Sequence, residues 1–165
     1  MLIAWIPATL WLAVITTEST KTFSGNNTLA WLLKLLRDVH IHASFGQAFY
    51  LNMILRKAGH FTGYAILSWL TFRGWMEMLA YQNFARFRQV VRRWRLRASA
   101  LAVLCTIVVA GLDEFHQSFL PGRTGVVRDV ILDSMGGVFV QSILLLYWTR
   151  NSRKTEKADV PVCLE

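Results

Sequence analysis

The sequence predicts an all-α membrane protein, four transmembrane helices in a bundle with an extracytoplasmic interfacial helix. Three observations carry that expectation. The chain is more apolar than an ordinary soluble protein of its size, 54% hydrophobic over 165 residues with a mean hydropathy of +0.36. Its apolar residues gather into separate segments near 2–18, 53–75, 98–119 and 126–148. Its basic residues, which give a net charge of +8, cluster in two places with two of those segments between them. The length suits one domain, taken here as 1–150, followed by a basic and disordered tail at 151–165.

The segment at 2–18 carries Trp5 and Trp11 and is short against the roughly 20 residues of a spanning helix. It lacks a basic leading stretch and a small-x-small cleavage site, so it reads as an uncleaved anchor rather than a signal peptide. The next stretch, Ser24-Gly25-Asn26-Asn27-Thr28, reads as a loop with Asn27 as the N-cap of a helix. In that helix Leu29, Leu32, Leu33 and Leu36 share one face, and Lys34, Arg37, Asp38 and His42 fall away from it. The pattern fits a helix in the outer interface and equally one that covers the bundle.

Arginine fixes the orientation. Arg73, Arg86, Arg88, Arg92, Arg93, Arg95 and Arg97 lie between the segments at 53–75 and 98–119, and Arg150, Arg153, Lys154 and Lys157 follow the last one. Short basic loops stay in the cytoplasm. Two crossings between the clusters put both inside, with both termini cytoplasmic. The same clusters explain the net charge by topology and anionic lipid, so nucleic acid is not an expected partner. Cys105 lies in an apolar run and reads as a small hydrophobe; with Cys163 it builds no disulfide framework.

That topology brings two distant charged stretches to the outer leaflet. In "LRKAGHFTGY", Lys57, His60 and Tyr64 are spaced three and four apart and share a helical face. In "GLDEFHQSFLPGRTGVVRDVILDSMGG", Asp113 and Gln117 are four apart, and Asp129, Asp133 and Gly137 repeat that step. Asp133 lies about two turns inside the last helix, where a carboxylate faces protein or a wet cleft rather than lipid. Pro121, Gly122 and Gly125 make a turn with Arg123 at its tip. The helix that starts near Val126 to Arg128 offers free N–H groups, and with Arg123 and Arg128 beside them these form a candidate phosphate site.

These motifs together resemble the VanZ-like family of small bacterial membrane proteins, named from a protein linked to teicoplanin resistance. The residues that carry the resemblance are Lys57 and His60; Asp113, Glu114 and Gln117; Pro121, Gly122 and Arg123; and Asp129, Asp133 and Gly137. It covers roughly 53–140. Gly63 is a departure, because many relatives carry an acidic residue just before the tyrosine. The resemblance implies a multi-pass protein of the bacterial cytoplasmic (inner) membrane that influences the envelope and its glycopeptide susceptibility.

The expected ligand-binding residues are Lys57, His60, Asp113, Glu114, Gln117, Arg123, Arg128, Asp129 and Asp133. Three readings of them stand. They line a polar cleft for an anionic lipid headgroup or a lipid-linked envelope precursor. Or His60 with Asp113 or Glu114 does acid/base work on a phosphoester or acyl bond. Or the charges only lock the bundle. No cofactor is expected. A metal is not expected either, because Lys57 opposes a cation and neither the set His60, His116, Asp113 and Glu114 nor the pair His40 and His42 has a helical ligand spacing with an acidic partner.

Overall fold

The computed structural model describes residues 2–82, 87–119 and 126–158. Every regular element among the described residues is helical. Single 3-10 turns at Leu2–Trp5 and Lys21–Phe23 flank the first helix. The α-helices are α1 (Ile6–Glu18), α2 (Gly25–Asp38), α3 (Phe45–Gln82), α4 (Phe87–Gln117) and α5 (Val127–Ala158).

α3 is the hub. It packs against each of the other four helices, and α4 and α5 also pack on one another. The core is therefore a three-helix unit of α3, α4 and α5, with α1 and α2 laid on α3. At mid-height Ile15, Tyr64, Leu67 and Ala110 form one buried cluster. Towards the other end Phe72, Ala98 and Ala102 form a second, against which Trp75, Leu144 and Trp148 pack. Small residues set the closeness. A Cβ on Gly136 would run into the carbonyl oxygen of Phe61, and one on Gly137 would stand 2.9 Å from Thr106 Cγ2. Backbone-to-backbone approach of this kind is the usual role of glycine in membrane bundles.

The polarity of α4 and α5 is turned outward-apolar. Leu104, Val108, Leu112, Ile131, Met135, Phe139 and Ile143 are exposed, whereas Ser99, Thr106, Asp113, Gln117, Asp133 and Gln141 are buried. Water would favour the reverse; hydrocarbon favours this, because polar groups then find partners only inside the bundle. Two stretches, Arg93–Gln117 and Val127–Asn151, are long and apolar enough to cross a membrane, and Leu2–Glu18 is a shorter apolar helix. α3 interleaves Asn52, Arg56, Lys57, His60, Ser68 and Arg73 with its apolar residues.

Several sequence-based bounds need correction. The helix expected at 53–75 begins at Phe45, so Lys57 and His60 sit three to four turns inside it rather than at its start. Its start is marked by a reciprocal cap: Ser44 N–H donates to Gln47 Oε1 at 2.9 Å, and Gln47 N–H donates to Ser44 Oγ at 3.3 Å. The helix expected at 98–119 spans 87–117. The helix expected at 126–148 continues to Ala158, into the stretch expected to be a disordered tail. Asn27 is not an N-cap. Ser24 holds that place with extended backbone, and Thr28 N–H donates the first helical bond to its carbonyl. Asn27 lies inside α2, with its side-chain amide on Thr22 O.

Candidate functional site

Three helices bring their polar faces together at one end of the core. α3 contributes Asn52, Arg56, Lys57, His60 and Tyr64, α4 its last turns with Asp113, Glu114 and Gln117, and α5 its first turns with Asp129 and Asp133. All but one of the pairings cross between elements; the exception is Gln117 with Asp113, both on α4. Lys57 Nζ lies 3.4 Å from Asp129 Oδ1. His60 Nδ1 lies 3.5 Å from Asp133 Oδ2. Asp113 Oδ2 accepts from Tyr64 OH at 3.2 Å and from Gln117 Nε2 at 2.8 Å. Glu114 Oε2 accepts from the N–H of Val126 at 2.9 Å.

These contacts divide the cluster by burial. Tyr64, Asp113 and Gln117 are buried and satisfy one another, which makes them a peg between α3 and α4 rather than a surface. Lys57 and Asp129 are exposed, 54% and 43% by side chain, so their pair is open to solvent. Asp133 is the extreme: 1% exposed, with neither carboxylate oxygen receiving a hydrogen bond. His60 approaches to ion-pair distance without hydrogen-bond geometry. Below it, Gln141 Nε2 donates to Ser68 O at 2.9 Å and to Ser68 Oγ at 3.0 Å, extending the polar seam along α5.

A cleft of about 380 Å³ opens onto this end, lined by Arg56, Lys57, His60, Glu114, Gln117, Asp129 and Asp133, with Phe49, Asn52, Met53, Val126 and Leu132. Its remaining wall is the start of α2: Ser24, Gly25 and Asn26. Two contacts with α3 hold that wall. Asn52 Nδ2 donates to Gly25 O at 3.1 Å. The Arg56 guanidinium lies so close that a Cβ on Gly25 would be 2.6 Å from Arg56 Nη1. Ser24 makes no side-chain cap, and no described residue accepts from the N–H groups of Gly25 or Asn26. Those donors, the positive end of the α2 dipole and Arg56 all converge on one wall.

Of the expected ligand-binding residues, Lys57, His60, Glu114, Gln117, Asp129 and Asp133 line the cleft. Asp113 stands behind its wall, occupied by Tyr64 and Gln117. Arg128 is exposed and lies outside the lining. Arg123, with Pro121, Gly122 and Gly125, lies outside the described residues. Of the N–H groups near Val126 expected to await a phosphate, that of Val126 itself donates to Glu114 Oε2. His60 pairs with neither Asp113 nor Glu114 but with Asp133. Arg56 and the α2 start are cleft elements outside the expected set. Arg56 is four residues from His60, and that spacing was a signal for it.

The other histidines are placed elsewhere. His40 adopts φ 58° just past α2, and Ile41 N–H reaches back to Leu36 O at 2.8 Å. It thus holds the left-handed position that ends a helix, usually given to glycine. His42 and His116 are exposed. Among the described residues no three His, Cys, Asp or Glu side chains are grouped to hold one metal ion.

Comparison with curated proteins and comparison with solved structures return no match. A family model described as VanZ/LLP1 matches residues 3–148. The match runs from the first apolar helix to the aromatic end of α5 and takes in every helix that builds the cleft. The chain belongs to the VanZ/LLP1 family.

Proposed function

We propose that the cleft receives the phosphate of an anionic lipid headgroup or of a lipid-linked envelope precursor at the outer leaflet of the bacterial cytoplasmic membrane, and that glycopeptide susceptibility changes as a consequence. The observation that carries this is the wall formed by Arg56 and the uncapped start of α2. A guanidinium beside free helical N–H groups matches phosphate oxygens in both charge and geometry.

The membrane setting supports the same reading. Arg73, Arg95 and Arg150 lie at the far end of the core, where Arg95 Cζ stands 4.9 Å from the centre of the Trp148 ring. Lys57 and Arg73 are 16 residues apart on α3, a rise of about 24 Å at 1.5 Å per residue. That is close to the thickness of a hydrocarbon core. With the arginine end cytoplasmic, α1, α3, α4 and α5 each cross, both termini are inside, and the cleft opens outward.

The proposal is tested by anionic lipid retained on the purified protein. Arg56→Lys keeps the charge but loses the fork, and should weaken retention of phosphatidylglycerol; Arg56→Gln should weaken it about tenfold. Equal retention by all three proteins discards the phosphate wall.

A second reading is favoured by His60 and Asp133. A buried carboxylate against Nδ1 leaves the other imidazole nitrogen to serve as acid or base, the arrangement used for attack on phosphoester or acyl bonds. Turnover of a phospholipid ester that His60→Gln abolishes, with lipid retention unchanged, would replace binding by catalysis as the function.

A further inference from the structure

The charges that line the cleft do not make a simple anion site. Lys57 and Asp129 answer each other. Glu114 is answered by the start of α5. Two groups of opposite sign stand apart: one without an ion pair, the other paired with His60 but without a hydrogen bond. Arg56 forms no ion pair with a described residue and faces the cleft beside the α2 amides. Asp133 is buried to 1%, receives no hydrogen bond on either oxygen, and also lines the cleft, with the His60 imidazole 3.5 Å away as its ion-pair neighbour. A purely anionic ligand would satisfy the first and be repelled by the second.

We infer that the ligand carries a primary ammonium as well as a phosphate, with the phosphate held at Arg56 and the α2 start and the ammonium held at Asp133. This rests on the phosphate reading above and narrows it from an anionic headgroup to a zwitterionic one. An ionised carboxylate accepts at both oxygens and an ammonium offers three N–H donors, so one group meets the whole deficit at Asp133. A buried carboxylate without donors is costly, and complementing it supplies specificity. Arg56 and Asp133 line the same cleft. Arg56 and His60 are four residues apart on one face of α3, a rise of about 6 Å, and Asp133 lies against His60. A quaternary ammonium has no N–H and leaves Asp133 unanswered.

The full-length protein in detergent, given equal phosphatidylethanolamine, phosphatidylglycerol and phosphatidylcholine, should retain the ethanolamine lipid about tenfold over each of the others by native mass spectrometry. Asp133→Asn should abolish the preference for ethanolamine over choline; Arg56→Gln should lower retention of all three. Phosphatidylglycerol retained as well as or better than the ethanolamine lipid overturns the ammonium assignment and leaves the phosphate wall standing. Choline lipid retained equally with ethanolamine also overturns it. None of the three retained above detergent alone ends both readings. The wild-type comparison stands without any variant. Free phosphoethanolamine and free phosphocholine then identify the source. Displacement by the former alone shows that the soluble headgroup suffices, and displacement by neither shows that the chemistry is read only on a lipid; both support the ammonium. Equal displacement by phosphocholine refutes it.

Discussion

The indole N–H of Trp11 reaches from α1 to the carbonyl oxygen of Gly63 on α3, 2.8 Å away. It fastens the short N-terminal helix one turn from His60. An acidic partner for His60 does not come from position 63 here. Asp133 supplies it from α5.

Trp11→Phe keeps an aromatic ring but removes the bond and part of the indole packed on the core. It should cost about 1 kcal/mol, the usual net worth of a hydrogen bond, read as a lower midpoint in thermal unfolding of the detergent-solubilised protein. Gly63→Ala should be neutral or stabilising by a few tenths up to about 1 kcal/mol, because a Cβ there meets nothing within 4 Å and alanine favours helix. Destabilisation by Gly63→Ala would show that the space at this position is needed.

The two pairings on α3 should behave differently. Lys57→Ala breaks an exposed ion pair and should cost below about 1 kcal/mol. Tyr64→Phe removes a donor from a buried carboxylate and should cost about 1–3 kcal/mol. Comparable losses, measured by unfolding midpoint, would mean that the charged cluster acts as one lock and not as a peg beside an open cleft.

Much of this cluster was legible in the sequence, for a physical reason. Lys57, His60 and Tyr64, and Asp129 and Asp133, lie on single helices, where spacing alone fixes a shared face. The α2 wall was not legible, because it depends on docking between segments: Asn52 meets Gly25 across 27 positions, and no local pattern encodes that contact. The extra turns of α3 were legible in principle. Ser44 and Gln47 form a capping box, and the run Ala48-Phe49-Tyr50-Leu51 after it leads straight into the apolar stretch at 53. The helical class was legible from composition, while the three-helix core with α1 and α2 laid on α3 depends on where the small residues fall.

Topology is open to a direct check. A reporter fused after Arg97 should behave as cytoplasmic, and one inserted near Thr124 as external. The same side for both would place α4 along the membrane rather than across it.

Gly136→Ala should be among the most damaging small substitutions in the chain. Its Cβ would meet the backbone oxygen of Phe61, which no side-chain rotation relieves. A loss of about 1–3 kcal/mol is expected, against little effect for Gly59→Ala, where the space is open. Unfolding midpoints of the two variants, compared side by side, decide it.

That contact makes the cleft resemble a vice with one fixed jaw. The α3 and α5 backbones touch at Gly136, one turn from Asp133, so the interval between His60 and Asp133 cannot widen without parting the helices. The α2 jaw is held by Asn52 and by the seating of Arg56 on Gly25. On the proposed reading, a bulkier ligand would be accepted by shifting or resizing α2 while the carboxylate end stays in place. Changes in the residues at 24–26 would then alter what the proposed site takes, and changes near 136 would alter whether the site forms at all.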